Sequence, residues 1–159
     1  MPRQEYQQVC LNGHQVTDAT SARSHLMCDF CKKCGAETIT SCPSCSQKIP
    51  GKVFYERVRS GINPYVPSYC PSCGHPYPWT TTKLEALKEY AQELEELDQT
   101  DKDILASSID DLVTETPRTQ VATARYKRVA KKLGKAAYDE IKELTVSVVS
   151  ETIKKALFG

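Results

Sequence analysis

The chain changes its hydrophobic rhythm near residue 80. Before it, apolar positions fall in short alternating runs broken by Cys, Gly and Pro; after it they recur at helical spacing. The stretch "QEYQQVCLNGHQVTD" (4–18) reads as strand, tight turn and strand, and "AETITSC" (36–42) as a further short strand. Between them "TDATSARSHLM" (17–27) is a polar loop. "KVFYERVR" (52–59) predicts a strand with Val53, Tyr55, Arg57 and Arg59 on one side and Phe54, Glu56 and Val58 on the other. A loop (60–69) broken by Gly61, Pro64 and Pro67 follows, then a Pro-rich exit carrying the sole Trp, Trp79, expected as core.

Thr82-x-x-Glu85 has the form of a capping box, and Leu84, Leu87, Ala91 and Leu94 then keep helical spacing. Thr100-x-x-Asp103 suggests a second start, followed by Ile104, Leu105, Ile109, Leu112 and Val113. Thr116 before Pro117 opens a third helix, with Gly134 as its C-terminal cap. A fourth runs from about Lys135 to Phe158, because Ala137, Ile141, Leu144 and Val148 share a face despite the β-branched "TVSVVS". Val149, Ile153, Ala156 and Leu157 lie off that face, so a second copy of the chain is expected to cover them, making a homo-oligomer through the C-terminal helices. The expected class is α+β. Two ribbon-like β-hairpin modules (about 4–41 and 42–79) precede a helical region of about four helices (80–159).

The eight cysteines all fall in the first half, mostly in C-x-x-C pairs: C31-KK-C34-G, C42-PS-C45-S and C70-PS-C73-G, with C10-LNG-H14 before them. Each turn aims two soft donors at one place, the spacing of a zinc knuckle. Sixteen residues separate His14 from Cys31 and 24 separate Cys45 from Cys70, enough for a closing hairpin; only seven separate Cys34 from Cys42. This pairs Cys10, His14, Cys31 and Cys34 as one site and Cys42, Cys45, Cys70 and Cys73 as another. Two structural zinc ions with no open coordination position are expected. Cys28 offers a rival C28-DF-C31 pair. Gly35 after Cys34 favours the Cys31–Cys34 knuckle and leaves Cys28 a partly buried free thiol.

Net charge is +1, but residues 80–116 carry three Lys against eleven acids, and residues 117–135 carry seven Lys or Arg and no acid. On a helical wheel Arg118, Arg125, Arg128, Lys132 and Lys135 form one stripe, which either pairs with the acidic helices before it or meets phosphates. The chain has no long apolar run, so no membrane span is expected. The first ten residues, "MPRQEYQQVC", carry no apolar secretory segment, so the cysteines are expected to hold metal in a reducing cytoplasm.

"VCLNGH", the C-x-x-C-G knuckle followed by "TIT", "CPSC", "YCPSCGHPYPWT" and "TPRTQVATARYKR" together resemble a bacterial zinc-ribbon family known only as a domain of unknown function. The resemblance spans nearly the whole chain. It implies a cytoplasmic protein with ribbon knuckles and a helical tail, and implies no activity.

No Ser/His/Asp set and no Gly-rich phosphate loop is present, and the expected metal sites are closed, so the chain is expected not to be an enzyme. The favoured reading is a zinc-stabilised binding module, an adaptor or regulator with a protein partner. The second is nucleic-acid binding. It would use Lys52, Arg57 and Arg59 beside Phe54, Tyr55, Tyr65 and Tyr69, or the basic third helix.

Overall fold

Short strands and tight turns dominate the first half because its apolar runs are too brief for anything longer. The computed structural model describes residues 1–59 and 61–159; Ser60, which opens the expected loop, lies outside them. The chain divides into two compact units, Met1–Thr82 and Lys83–Gly159.

In the first unit β1 (Arg3–Tyr6) pairs antiparallel with β5 (Pro50–Phe54), matching Arg3 with Phe54 and Gln4 with Val53. A second sheet has the order β3-β2-β4, from β2 (Gln8–Cys10), β3 (Gln15–Thr17) and β4 (Thr38–Ile39). Gln7 joins the two sheets. Its backbone N–H donates to Ile49 O (2.9 Å). Its buried side chain donates to Pro50 O and Tyr65 O and accepts from Gln15. Gly51 lies where β1, β5 and the end of β3 converge. A Cβ there would sit 2.2 Å from Asp18 O, so only glycine lets these backbones approach. Asp18 is buried and accepts from Arg23 and from the Asn63 N–H (2.8 Å), tying loop to sheet. Burial pushes its carboxyl up, but the Asn63 N–H and the Arg23 guanidinium outweigh that and hold it below the ordinary carboxylate range. The buried core is Val9, Cys42, Ile49, Cys70, Tyr77 and Trp79, with the Trp79 indole N–H donating to Pro67 O (2.9 Å).

The expected strand 52–59 ends early. Strand β5 stops at Phe54, and the chain turns at 55–58 with Arg57 at φ +64. The unbroken alternation through Arg59 therefore does not form.

The described residues hold five α-helices, α1 (Pro78–Glu93), α2 (Gln99–Val113), α3 (Thr119–Ala130), α4 (Lys135–Val146) and α5 (Glu151–Phe158), besides one 3-10 turn at Ser24–Leu26. Helix α1 starts four residues ahead of Thr82, whose hydroxyl donates back to Pro78 O rather than capping. Asp98, not Thr100, caps α2 by accepting from the Asp101 N–H (2.8 Å). At the entry to α3 the Thr116 hydroxyl accepts from the Arg118 N–H (3.2 Å), and the Thr119 hydroxyl accepts from the Thr116 N–H (2.9 Å). Gly134 has φ −65 and is the N-cap of α4, not a left-handed C-cap; its N–H donates to Glu96.

The expected fourth helix is two, α4 and α5. The β-branched run weakens the helix, and the Ser150 hydroxyl restarts it by accepting from the Ile153 N–H. The bend turns Val149, Ile153 and Leu157 into the unit's own core with Leu105, Ile109, Tyr126 and Ile141. Three of the four residues assigned to a second copy are thus covered within the chain, and Ala156 is exposed. Tyr126 O–H bonds Thr145 (2.8 Å), and Thr145 donates to Ile141 O. Thr145 therefore accepts, and the buried phenol donates. Among the described residues, no helix is long and apolar enough to cross a membrane.

Candidate metal centres

Three eight-residue turns in the first unit share one hydrogen-bond plan. Gly35, Ser46 and Gly74 each donate N–H to the O of Cys31, Cys42 and Cys70, all at 2.8 Å. The first cysteines donate in turn to Ala36, Gln47 and His75 (2.7–2.9 Å). Bridges Phe30–Glu37, Ser41–Lys48 and Tyr69–Pro76 close each turn. The residue after the second cysteine is left-handed every time: Gly35 at φ +74, Gly74 at φ +77 and Ser46 at φ +65. The Cys10–His14 turn, outside these three, differs, with Gly13 at φ +89 against the Trp79 side chain, while Cys10 donates its N–H to His14 O (3.0 Å).

These turns bring together two sets of four donors, Cys10, His14, Cys31 and Cys34, and Cys42, Cys45, Cys70 and Cys73, each within 4.8 Å of one another. A tetrahedral ion bonded to sulfur at about 2.3 Å sets S···S edges of about 3.8 Å, and S···N edges of about 3.6 Å with nitrogen at about 2.0–2.1 Å. Cys10–Cys34 and Cys45–Cys70 Sγ atoms lie 3.7 Å apart, and Cys42–Cys73 3.8 Å. His14 Nδ1 lies 3.5 Å from Cys10 Sγ and 3.6 Å from Cys31 Sγ. The donor sets therefore fit two tetrahedral metal ions, and His14 offers Nδ1. Cys28 stands outside both sets. Its backbone is clamped by Gln8, which donates to Cys28 O (3.0 Å) and accepts from Cys28 N (3.2 Å).

Backbone and side-chain N–H groups surround the sulfurs. The Ala36 N–H and the Asn12 amide bring the Cys34 thiol down to about 6. The Cys73 N–H, with that of Ser72, brings Cys70 down to about 6. Cys45 also has the Gln47 N–H, but burial and the adjoining Cys70, Cys73 and Cys42 sulfurs push it up to about 12. Four thiolates this close repel one another, and a dication removes that repulsion. The buried phenol of Tyr77 is raised above its ordinary value by burial first and then by the charge of Cys70, Cys42 and Cys45.

Over residues 3–157 the chain matches the model of a family described as "uncharacterized protein conserved in bacteria" (DUF2321). The chain belongs to this family. No curated protein and no solved structure matches it. The DUF2321 description names no metal, so the two donor sets stand on their geometry.

The other residues singled out in this DUF2321 chain are scattered. Lys52 is turned inward, 3% exposed, with Nζ on Gly61 O and 4.9 Å over the Phe54 ring, so it is not a surface cation. Arg3 lies 5.4 Å from the same ring. Tyr55, Arg57, Arg59 and Tyr65 are exposed, and Tyr69 is half-buried in its turn. At the two ends of α3, Arg118 pairs with Asp111 (3.4 Å) and Lys132 with Asp101 (2.6 Å), both acids on α2. Arg125 and Arg128 are exposed and form no ion pair among the described residues. Gln7, Gln8 and Asp18 escaped sequence reading because polar residues in short strands look like solvent faces. The adjacent Gln7 and Gln8 beside Val9 were the one available signal.

Proposed function

We propose that this protein holds two structural zinc ions and acts as a non-catalytic binding module, a protein adaptor or regulator. The observation carrying this is the pair of complete four-donor sets at tetrahedral separations. Thiolate and imidazole donors suit zinc, and four protein ligands leave no position for a reacting water. The ions would hold rigid turns in a unit with little apolar core, and the turns would present the surface between them. Exposed large apolar side chains concentrate there: Tyr55, Val58, Ile62 and Tyr65 in one loop, Leu26, Met27 and Phe30 in another. Exposed apolar residues gathered in this way mark contact sites.

Metal analysis of reduced full-length protein should return two equivalents of zinc per chain. A photo-crosslinker at Tyr55 or Tyr65 should trap the same host protein, while one at exposed Val121 should not. Less than two equivalents, or identical products from all three positions, would sink this reading.

One observation favours a second reading. Arg57 and Arg59 share the exposed loop with Tyr55 and Tyr65, a mixture that suits stacking against single-stranded nucleic acid. The inward turn of Lys52 and the pairing of Arg118 and Lys132 weigh against it. Titration with labelled oligonucleotides at low and moderate salt decides. Salt-sensitive binding weakened by Arg57→Ala and Arg59→Ala supports it, and no binding at low salt removes it.

A further inference from the structure

Tyr77 is fully buried, yet its hydroxyl has no hydrogen-bond partner among the described residues. A buried polar group left in this way is destabilising, and native folds rarely keep one without a use. The ring cannot swing out to water. It stacks on Trp79, with centroids 4.7 Å apart and planes at 20°. Its backbone N–H donates to Ser68 O (3.0 Å), two residues before Cys70. The ring shares its buried cluster with Cys42 and Cys70, with Cys45 and Cys73 packed against it. The hydroxyl therefore lies in the wall of the second donor set, and of the four sulfurs it is that of Cys70 with which it interacts most directly.

A thiol is a weak hydrogen-bond acceptor, whereas a metal-bound sulfur carries negative charge and accepts well. A metal-bound sulfur of this set is thus the partner that the hydroxyl suits. The turns already direct N–H groups at Cys45, Cys70 and Cys73, from Gln47, from Ser72 and Cys73, and from His75. A side-chain O–H from the core side completes that ring of donors.

We propose that Tyr77 is a positioning residue of the second centre, its hydroxyl donating to a metal-bound cysteine sulfur, that of Cys70. This rests on reading the four cysteines as a metal centre. The bond draws charge from the sulfur, fixes its rotamer and slows loss of the ion to acid or a competing chelator. Outer partners of this kind are worth about 10- to 100-fold in metal affinity. A hydroxyl that is merely orphaned predicts the opposite sign, since its removal relieves an unsatisfied group.

The test uses full-length Tyr77→Phe, which keeps the ring and its stack, with cobalt(II) as the probe. Cobalt occupies tetrahedral thiolate sites and reports them through sulfur-to-metal charge-transfer bands. One of the two equivalents should be lost to a chelator at about 10- to 100-fold lower competitor strength, with its band shifted, while the other is unchanged. Wild-type affinity and bands for both equivalents in the variant would overturn the proposal, and tighter binding would overturn it more firmly. Failure of the variant to recover the wild-type Trp79 emission at saturating zinc, which does not quench, would also overturn it, because the hydroxyl would then serve the fold rather than the ion. If the wild-type chain itself shows no thiolate-to-cobalt band for a second equivalent, the metal-centre reading falls, and this inference falls with it.

Discussion

Stripping the metal should unfold one unit and spare the other. The core of Met1–Thr82 has six buried members among the described residues, and two of these are cysteines of the second donor set. The remaining four, Val9, Ile49, Tyr77 and Trp79, contribute about 1.5–3 kcal/mol each, or about 6–12 kcal/mol together. A bound structural zinc contributes about 10–16 kcal/mol. Net domain stability is only about 5–15 kcal/mol, so loss of a single ion removes as much as the whole margin. Lys83–Gly159 contains neither donor set and has fifteen buried apolar residues in its cluster. Two signals separate the units. Trp79, the sole tryptophan, is buried in the first, while α2 to α5 dominate the helical circular dichroism. An excess of chelator under reducing conditions should red-shift Trp79 emission to that of a solvated indole and leave most of the helical band. Added zinc should restore the emission. If metal analysis confirms removal and the emission does not move, coordination is not what holds the first unit. If the helical band collapses in step, the units are not independent in stability.

Three other expectations probe the frame around the centres. Gly51→Ala drives a Cβ to 2.2 Å from a backbone oxygen that cannot step aside, so it should cost more than about 3 kcal/mol and abolish native Trp79 emission with the helical band intact. Ser46→Gly relieves the one non-glycine in the left-handed position of the three knuckles. A gain of about 1 kcal/mol, or about 4–8 °C in the melting of the first unit, is expected by fluorescence-monitored unfolding. Asp18→Ala leaves Arg23 and the Asn63 N–H without their acceptor and should cost about 3 kcal/mol near neutral pH in denaturant titrations. Because the folded carboxyl is held below its ordinary value near 3.8, its contribution is present above that pH and fades as pH falls below it. The stability gap between wild type and variant should therefore narrow below about pH 4; a gap that stays constant would remove the charge from the explanation.

The α+β class was written in the change of hydrophobic period near residue 80, because strand and helix impose different repeats on a buried face. The nearness of the donors within each knuckle was equally local. A C-x-x-C turn with a left-handed residue behind it closes on its own hydrogen bonds, wherever the rest of the chain goes. The helical breaks were not local in this sense. "TVSVVS" reads equally as helix or strand, and the bend is favoured because Val149, Ile153 and Leu157 gain a core only when the chain turns there. Lys52 shares a strand face with Phe54, as alternation allows, but reads as a surface cation until the chain beyond β5 brings Gly61 O back to its ammonium. Gln7, Gln8 and Asp18 owe their burial to backbone groups up to 58 residues away. Spacing along the chain decides which donors neighbour one another in a turn. Only packing decides which polar groups lose water, since burial depends on residues whose nearness no local pattern records.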